Sequence, residues 1–163
     1  MRLFNAIMSF NVNVYKKPRK PEYLYYGSSE RVSVVMPSQA YDFGGKTGVL
    51  NAIYATPVRD IALAYALGVV PDETGQHERV MSYKYGAEVK MIFHKGHPNF
   101  GGKGYVYKLP CKSFIHAGGT QWVSASPVTP LETTGINVDD YLYLFRYATE
   151  VEKQQVAEDF AER

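Results

Sequence analysis

Apolar and polar positions alternate strictly from Phe10 to Val14, with Phe10, Val12 and Val14 on one face and Asn11 and Asn13 on the other. That is the period of a half-buried strand. The Lys- and Pro-rich segment after it cuts this strand off from the rest, so its partner is either an edge of the main sheet or a second copy of the chain. Tyr23 to Tyr26 reads as a short aromatic strand, and beyond a loop-rich stretch from Pro37 to Gly48 another strand is expected at Ala52 to Ala55. The period then changes to that of a helix. Thr56 can cap it, Pro57 suits its first position, Gly68 supplies a left-handed stop, and Val58, Ile61, Ala62 and Tyr65 share an inward face.

Strand patterning returns between Val80 and Ser126. Val89, Met91 and Phe93 alternate with charged or outward residues, Tyr105 to Leu109 is β-branched and aromatic, and Gly101-Gly102-Lys103-Gly104 is expected to join the two as a loop. Trp122 to Ser124 gives a further strand. Past Pro127 to Leu131, Asn137 can cap a short helix with Val138, Tyr141, Leu142 and Phe145 on one face. Thr149 and Glu152 have capping-box spacing ahead of a polar C-terminal helix that runs towards Phe160 and docks, if at all, through Val156 and Phe160. The pattern divides the chain into a strand and basic linker at 1–22, a main domain at 23–148 and a C-terminal helix at 149–163.

Composition narrows the classes. A chain of 163 residues suits one domain without disulfide or metal staples. Its 14 tyrosines and 8 phenylalanines favour strands and leave aromatic faces for a planar ligand. A formal charge of +2 is too small to imply nucleic-acid binding, and the one dense basic run, Lys16-Lys17-Pro18-Arg19-Lys20, reads as a solvated linker. Cys111 is the only cysteine, which excludes an intrachain disulfide and suits a reducing, cytoplasmic setting. Leu3, Phe4, Ile7, Met8 and Phe10 are interrupted by Asn5 and Ser9, so neither a signal-peptide core nor a membrane span of about 20 apolar residues is expected.

Several chemical signals fail on spacing. Gly45-Lys46-Thr47 lacks the earlier glycine of a phosphate loop, having Ala40 in its place. His94 and His97 have no cysteine or carboxylate at ligand spacing, so no metal is expected. No serine sits in a nucleophile-elbow pattern, and nothing pairs Cys111 with a histidine.

Three segments remain: Tyr25-Tyr26-Gly27-Ser28, Ile53-Tyr54-Ala55-Thr56 and Gln121-Trp122-Val123-Ser124. In order and local context they resemble the NAD-binding core of the ADP-ribosyltransferase superfamily, in the branch related to poly(ADP-ribose) polymerases and diphtheria toxin. The resemblance implies an α+β fold of split antiparallel β-sheets with flanking helices, and NAD as substrate without a metal. It implies that the Gly27 backbone holds the nicotinamide carboxamide with Ser28 near the same amide. Tyr54 and Tyr65, eleven residues apart, would sandwich the nicotinamide ring, and Ala62 would be the small residue facing it.

Where that branch usually carries His, Tyr and Glu as catalytic residues, this chain has Tyr26, Tyr54 and Gln121. A phenol can donate a hydrogen bond as an imidazole does, but it is larger and would shift or block the ribose. An amide can orient a ribose hydroxyl, yet it has no charge for an oxocarbenium-like transition state and cannot act as a general base. Two readings follow. One is an enzyme that hydrolyses NAD or transfers ADP-ribose, weakly, to a protein or nucleic-acid acceptor. The other is a catalytically inactive module of the same fold that binds a nucleotide, a nucleic-acid end or a protein partner. In a third, the cleft is vestigial and the strand Phe10 to Val14 mediates interaction, including homo-oligomer formation.

Overall fold

The structure is a computed structural model that describes residues 18–39 and 51–161. The alternating segment Phe10 to Val14 and the segment Gly45-Lys46-Thr47 lie outside the described residues. In chain order the elements are β1 (Tyr23–Ser28), β2 (Ser38–Gln39), β3 (Asn51–Ala55), α1 (Arg59–Ala66), β4 (Glu78–Lys84), β5 (Glu88–Lys95) and β6 (Lys103–Pro110). They continue with β7 (Ile115–Gly118), β8 (Gln121–Ser124), β9 (Glu132–Asn137), a 3-10 helix (Val138–Leu144), β10 (Phe145–Tyr147) and α2 (Glu150–Ala161).

The strands form three small sheets in an α+β arrangement: β1-β6-β9, β2-β3-β8-β7 and β4-β5-β10. The first two are antiparallel throughout, whereas β10 runs parallel to β5. A parallel pair needs a crossover, here supplied by β6 to β9 and the 3-10 helix. β1 and β3 meet at one isolated bridge, where Tyr25 N–H donates to the Thr56 carbonyl at 2.7 Å and Thr56 N–H donates back at 3.0 Å.

Alternation along β1 splits the core in two. Leu24 joins Ile53, Tyr107, Leu109, Phe114 and Trp122 in one cluster, against which Tyr26 packs. Tyr25 faces the other way, onto the cluster that α1 builds with Met91, Phe93, Val106, Val138 and Leu144. Helix α1 has Ile61, Ala62, Leu63, Ala64 and Ala66 all buried, a broader apolar surface than one stripe, while Tyr65 is 40% exposed. It lies directly on two glycines. A Cβ on Gly27 would stand 1.8 Å from the Ala62 carbonyl oxygen, and one on Gly104 would stand 2.0 Å from that of Ala66.

Three local expectations give way to longer-range pairing. Helix α1 starts at Arg59 because both backbone groups of Thr56 are bonded to Tyr25, which holds it in strand conformation. Its hydroxyl accepts from Val58 N–H at 3.1 Å, a turn ahead of the helix rather than a cap. Gly68, at φ +73°, does stop the helix, its N–H reaching the Tyr65 carbonyl at 3.2 Å. The helix expected after Asn137 is a 3-10 segment that breaks at Tyr141, with no Asn137 side-chain cap, and Phe145 leaves it to pair with β5. Of the glycine-rich loop only Gly101 and Gly102 are loop; Lys103 and Gly104 belong to β6.

The C-terminal helix keeps its expected cap. Thr149 N–H donates to Glu152 Oε1 at 3.0 Å and Glu152 N–H donates to Thr149 Oγ1 at 3.2 Å. Arg146 adds a bidentate pair to the same carboxylate at 2.6 and 2.9 Å. The Arg146 hydrogen bonds, then that of the Thr149 backbone, bring the Glu152 pKa down to about 2 from 4.5. Among the described residues no helix is long and apolar enough to cross a membrane.

Gly104→Ala is expected to cost about 1–3 kcal/mol or more, because the obstructing atom is helix backbone that cannot rotate away. Gly135→Ala, whose Cβ would meet only the Tyr105 ring at 3.6 Å, should change stability by less than about 0.5 kcal/mol. Urea unfolding of both variants checks the contrast. The depressed Glu152 pKa stabilises the fold fully above about 4.5, and that contribution fades as the pH falls towards about 2. The urea midpoints of wild type and Glu152→Gln should therefore differ at neutral pH and converge in acid.

Candidate functional site

Past the Tyr25–Thr56 bridge the two sheets do not continue to pair. Antiparallel register from that bridge sets Gly27 opposite Tyr54. A cavity of about 610 Å³ opens there, between β1, β3, α1, β4 and the β7–β8 hairpin. All seven sequence candidates line it: Tyr26, Gly27 and Ser28 from β1, Tyr54 from β3, Ala62 and Tyr65 from α1, and Gln121 from the start of β8.

The backbone geometry at Gly27 follows from strand alternation. Tyr25 directs its N–H and C=O away from β6 to Thr56, so Gly27, two residues on, directs its own pair to the same edge. β1 is the edge strand of its sheet, which leaves that donor and acceptor facing the cavity side by side. A primary carboxamide has the complementary acceptor and donor.

Each side chain has a local reason for its place. On β3, Ile53 and Ala55 enter the core and Tyr54 turns to the cavity. Pairing of Ala55 with Trp122 continues to set Gln121 beside Thr56, where it is exposed at the tip of the hairpin. Tyr26 leans on the fully buried Tyr107, with ring centroids 5.9 Å apart. Desolvation raises the Tyr26 pKa, opposed by a hydrogen bond with Ser28. Tyr107 in turn donates to the Glu30 carbonyl at 2.6 Å and accepts from Val32 N–H at 2.8 Å, pinning the loop behind Ser28. Ser28 Oγ accepts from Glu30 N–H at 3.1 Å. Tyr26 therefore lines the cavity while its ring packs against the core.

Sequence reasoning missed Arg79 and Met81, which line the cavity from β4. The Arg79 guanidinium lies 5.1 Å from the Tyr65 ring centroid, and its Nη1 donates to the Gly68 carbonyl at 3.4 Å. Desolvation lowers the Arg79 pKa and raises that of Tyr65, each opposed by the other group. The signal was parity: Arg79 and Met81 flank Val80 on one face of the strand. No carboxylate lines the cavity among the described residues, and Arg79 is its charged member. Nor do three His, Cys, Asp or Glu side chains gather at one point among the described residues. His97 instead stacks on Phe100 at 5.1 Å, and burial raises the Cys111 pKa against the opposing effect of Lys20.

The arrangement can therefore stack a planar ring, pair with an amide through backbone and accommodate negative charge, and among the described residues its lining holds no carboxylate or imidazole to take up a proton near neutral pH. Comparison with protein-family models, curated proteins and solved structures finds no match to this chain.

Proposed function

We propose that the cavity binds the nicotinamide end of NAD in an ADP-ribosyltransferase-like manner, with weak hydrolysis of NAD or transfer of ADP-ribose to an acceptor. The supporting observation is convergence: the open Gly27 backbone edge, Tyr54 and Tyr65 come from three separate elements and border one cavity. In this reading the carboxamide pairs with Gly27 near Ser28, the ring stacks on Tyr54 and Tyr65, and Ala62 leaves space beside them. Gln121 at the hairpin tip orients the ribose, and Tyr26 bounds the sugar's side of the site.

A second reading, a binding module without catalysis, is favoured by Gln121, which lines the cavity where the resembled family carries a glutamate. Cleavage of the nicotinamide–ribose bond develops positive charge on the sugar, and loss of one preorganised electrostatic contact typically costs about 10²–10³ in rate. Binding has more support here than turnover.

Calorimetry with nicotinamide and NAD tests the proposal: absence of heat with both at millimolar concentration, with no nicotinamide released, would end it. Tyr54→Ala and Tyr65→Ala should each weaken nicotinamide binding roughly 2- to 12-fold, the equivalent of ~0.5–1.5 kcal/mol for one stacked pair. Unaltered affinity would mark both rings as packing alone. Gln121→Glu is expected to raise NAD hydrolysis by about 10² or more, read as nicotinamide release. No gain would point to Tyr26 as the obstacle in the ribose region.

A further inference from the structure

The cavity holds a cation that the described residues around it do not neutralise. Arg79 is half-buried, and no salt bridge to it occurs among the described residues. Its protein partners are the face of Tyr65 and one long hydrogen bond to the Gly68 carbonyl. A guanidinium carries five donors in a rigid fork, so most of its capacity is unused, and it stays protonated at neutral pH. Half-buried charge without a counter-charge costs free energy, which an anionic ligand would recover.

Two further features aim this charge at a ligand. β4 and β5 slip register between Glu78 and Arg79, where Glu78 faces Lys95 but Arg79 already faces Phe93. The extra residue of this bulge is His94 on β5, so β4 keeps its alternation and Arg79 shares with Met81 the face that lines the cavity. Ser29 also lines the cavity, and it approaches Gly68, the residue that Arg79 contacts: a Cβ on Gly68 would be 3.3 Å from Ser29 Cβ and 4.0 Å from its Oγ. A guanidinium and a hydroxyl that both line the cavity thus each lie near one glycine.

We infer that Arg79, with Ser29, forms an anion subsite that receives the phosphates of a nucleotide, either the pyrophosphate of a dinucleotide or that of a free nucleoside diphosphate. The inference takes its dinucleotide form from the proposed nicotinamide site, but the subsite itself rests on Arg79 and stands without it. Phosphate matches the guanidinium fork in a bidentate fashion, which an ammonium group cannot reproduce.

Calorimetry with four probes, nicotinamide, NAD, ADP-ribose and inorganic pyrophosphate, on wild type, Arg79→Gln and Arg79→Lys tests it. ADP-ribose carries the pyrophosphate but no nicotinamide, so the two subsites separate. Arg79→Gln is expected to weaken NAD and ADP-ribose about tenfold to a hundredfold, the usual effect of losing charge-assisted hydrogen bonds, and to leave nicotinamide unchanged. Arg79→Lys should recover part of the loss, and inorganic pyrophosphate should compete with ADP-ribose on the wild type. A wild type that binds neither ADP-ribose nor pyrophosphate, or an Arg79→Gln variant that binds ADP-ribose as tightly as wild type, overturns the inference. Equal weakening of nicotinamide and ADP-ribose also overturns it, because Arg79 would then act by bracing Tyr65. Arg79-dependent binding of ADP-ribose with no binding of nicotinamide supports the anion subsite and removes the nicotinamide reading. If Arg79→Gln fails to fold, the Arg79→Lys series and the pyrophosphate competition decide the same question.

Discussion

The contact between the backbone of α1 and two glycines governs the geometry of everything around it. Ala62 and Ala66 are one helical turn apart on the same stripe, and their carbonyl oxygens lie over Gly27 of β1 and Gly104 of β6. Helix and sheet approach more closely than side chains would permit, with carbonyl oxygens against Cα atoms. This seam holds the register and rotation of α1 together. Tyr65, three residues from Ala62, falls at the rim of the stripe and therefore faces the cavity instead of the core. Gly27 serves twice, as the seat of the helix on one face and as an open backbone edge in the plane of the sheet. A side chain at that position would displace the helix and the site together.

The electrostatics of the cavity separate recognition from chemistry. In the proposed reading backbone groups and aromatic faces recognise a planar amide without charge, and Arg79 receives negative charge. Stabilising a developing cation needs the opposite sign, and Gln121 supplies only a dipole where the resembled family has a carboxylate. In the proposed reading, the positive guanidinium in the same lining would oppose a sugar cation and favour the phosphates attached to it. The lining would thus suit ground-state binding of the proposed nucleotide better than its cleavage.

What the sequence made legible was local. The Thr149–Glu152 cap, the Gly68 stop and the alternation of Val89, Met91 and Phe93 are complete within a few residues, and each forms as expected. Thr56 was misread because its backbone is taken by Tyr25, thirty-one positions away, a competitor that no helix-capping rule weighs. The segment after Asn137 was misread because β5 had an edge open to Phe145. Gly104 looked like loop because its strand role depends on Ala66 lying above it. The candidate site was visible as three segments, and the structure brings their residues to one cavity. Arg79 showed only as strand parity with Met81, and that this face of β4 borders a cavity depends on elements distant in the chain.

The cavity itself is a consequence of interrupted pairing. β1 and β3 are both extended and antiparallel to one another at Tyr25 and Thr56, so the next pair of the ladder would join Gly27 to Tyr54. Had that pair closed, the Gly27 donor and acceptor would be consumed by protein and the Tyr54 ring would lie over a continuous sheet. Instead β1 follows β6, and β3 follows β8 and β2, into separate sheets. The ladder stops one step short, which leaves the Gly27 backbone on a strand edge in a half-buried place. Exposed edge groups of this kind are costly unless something pairs with them. In the proposed reading a ligand amide beside Gly27 would take the place of that step, using a donor and an acceptor that the strand has already oriented. The binding edge and the split between the sheets are therefore one structural feature, and a substitution that zipped β1 to β3 would abolish the site without touching any of its side chains.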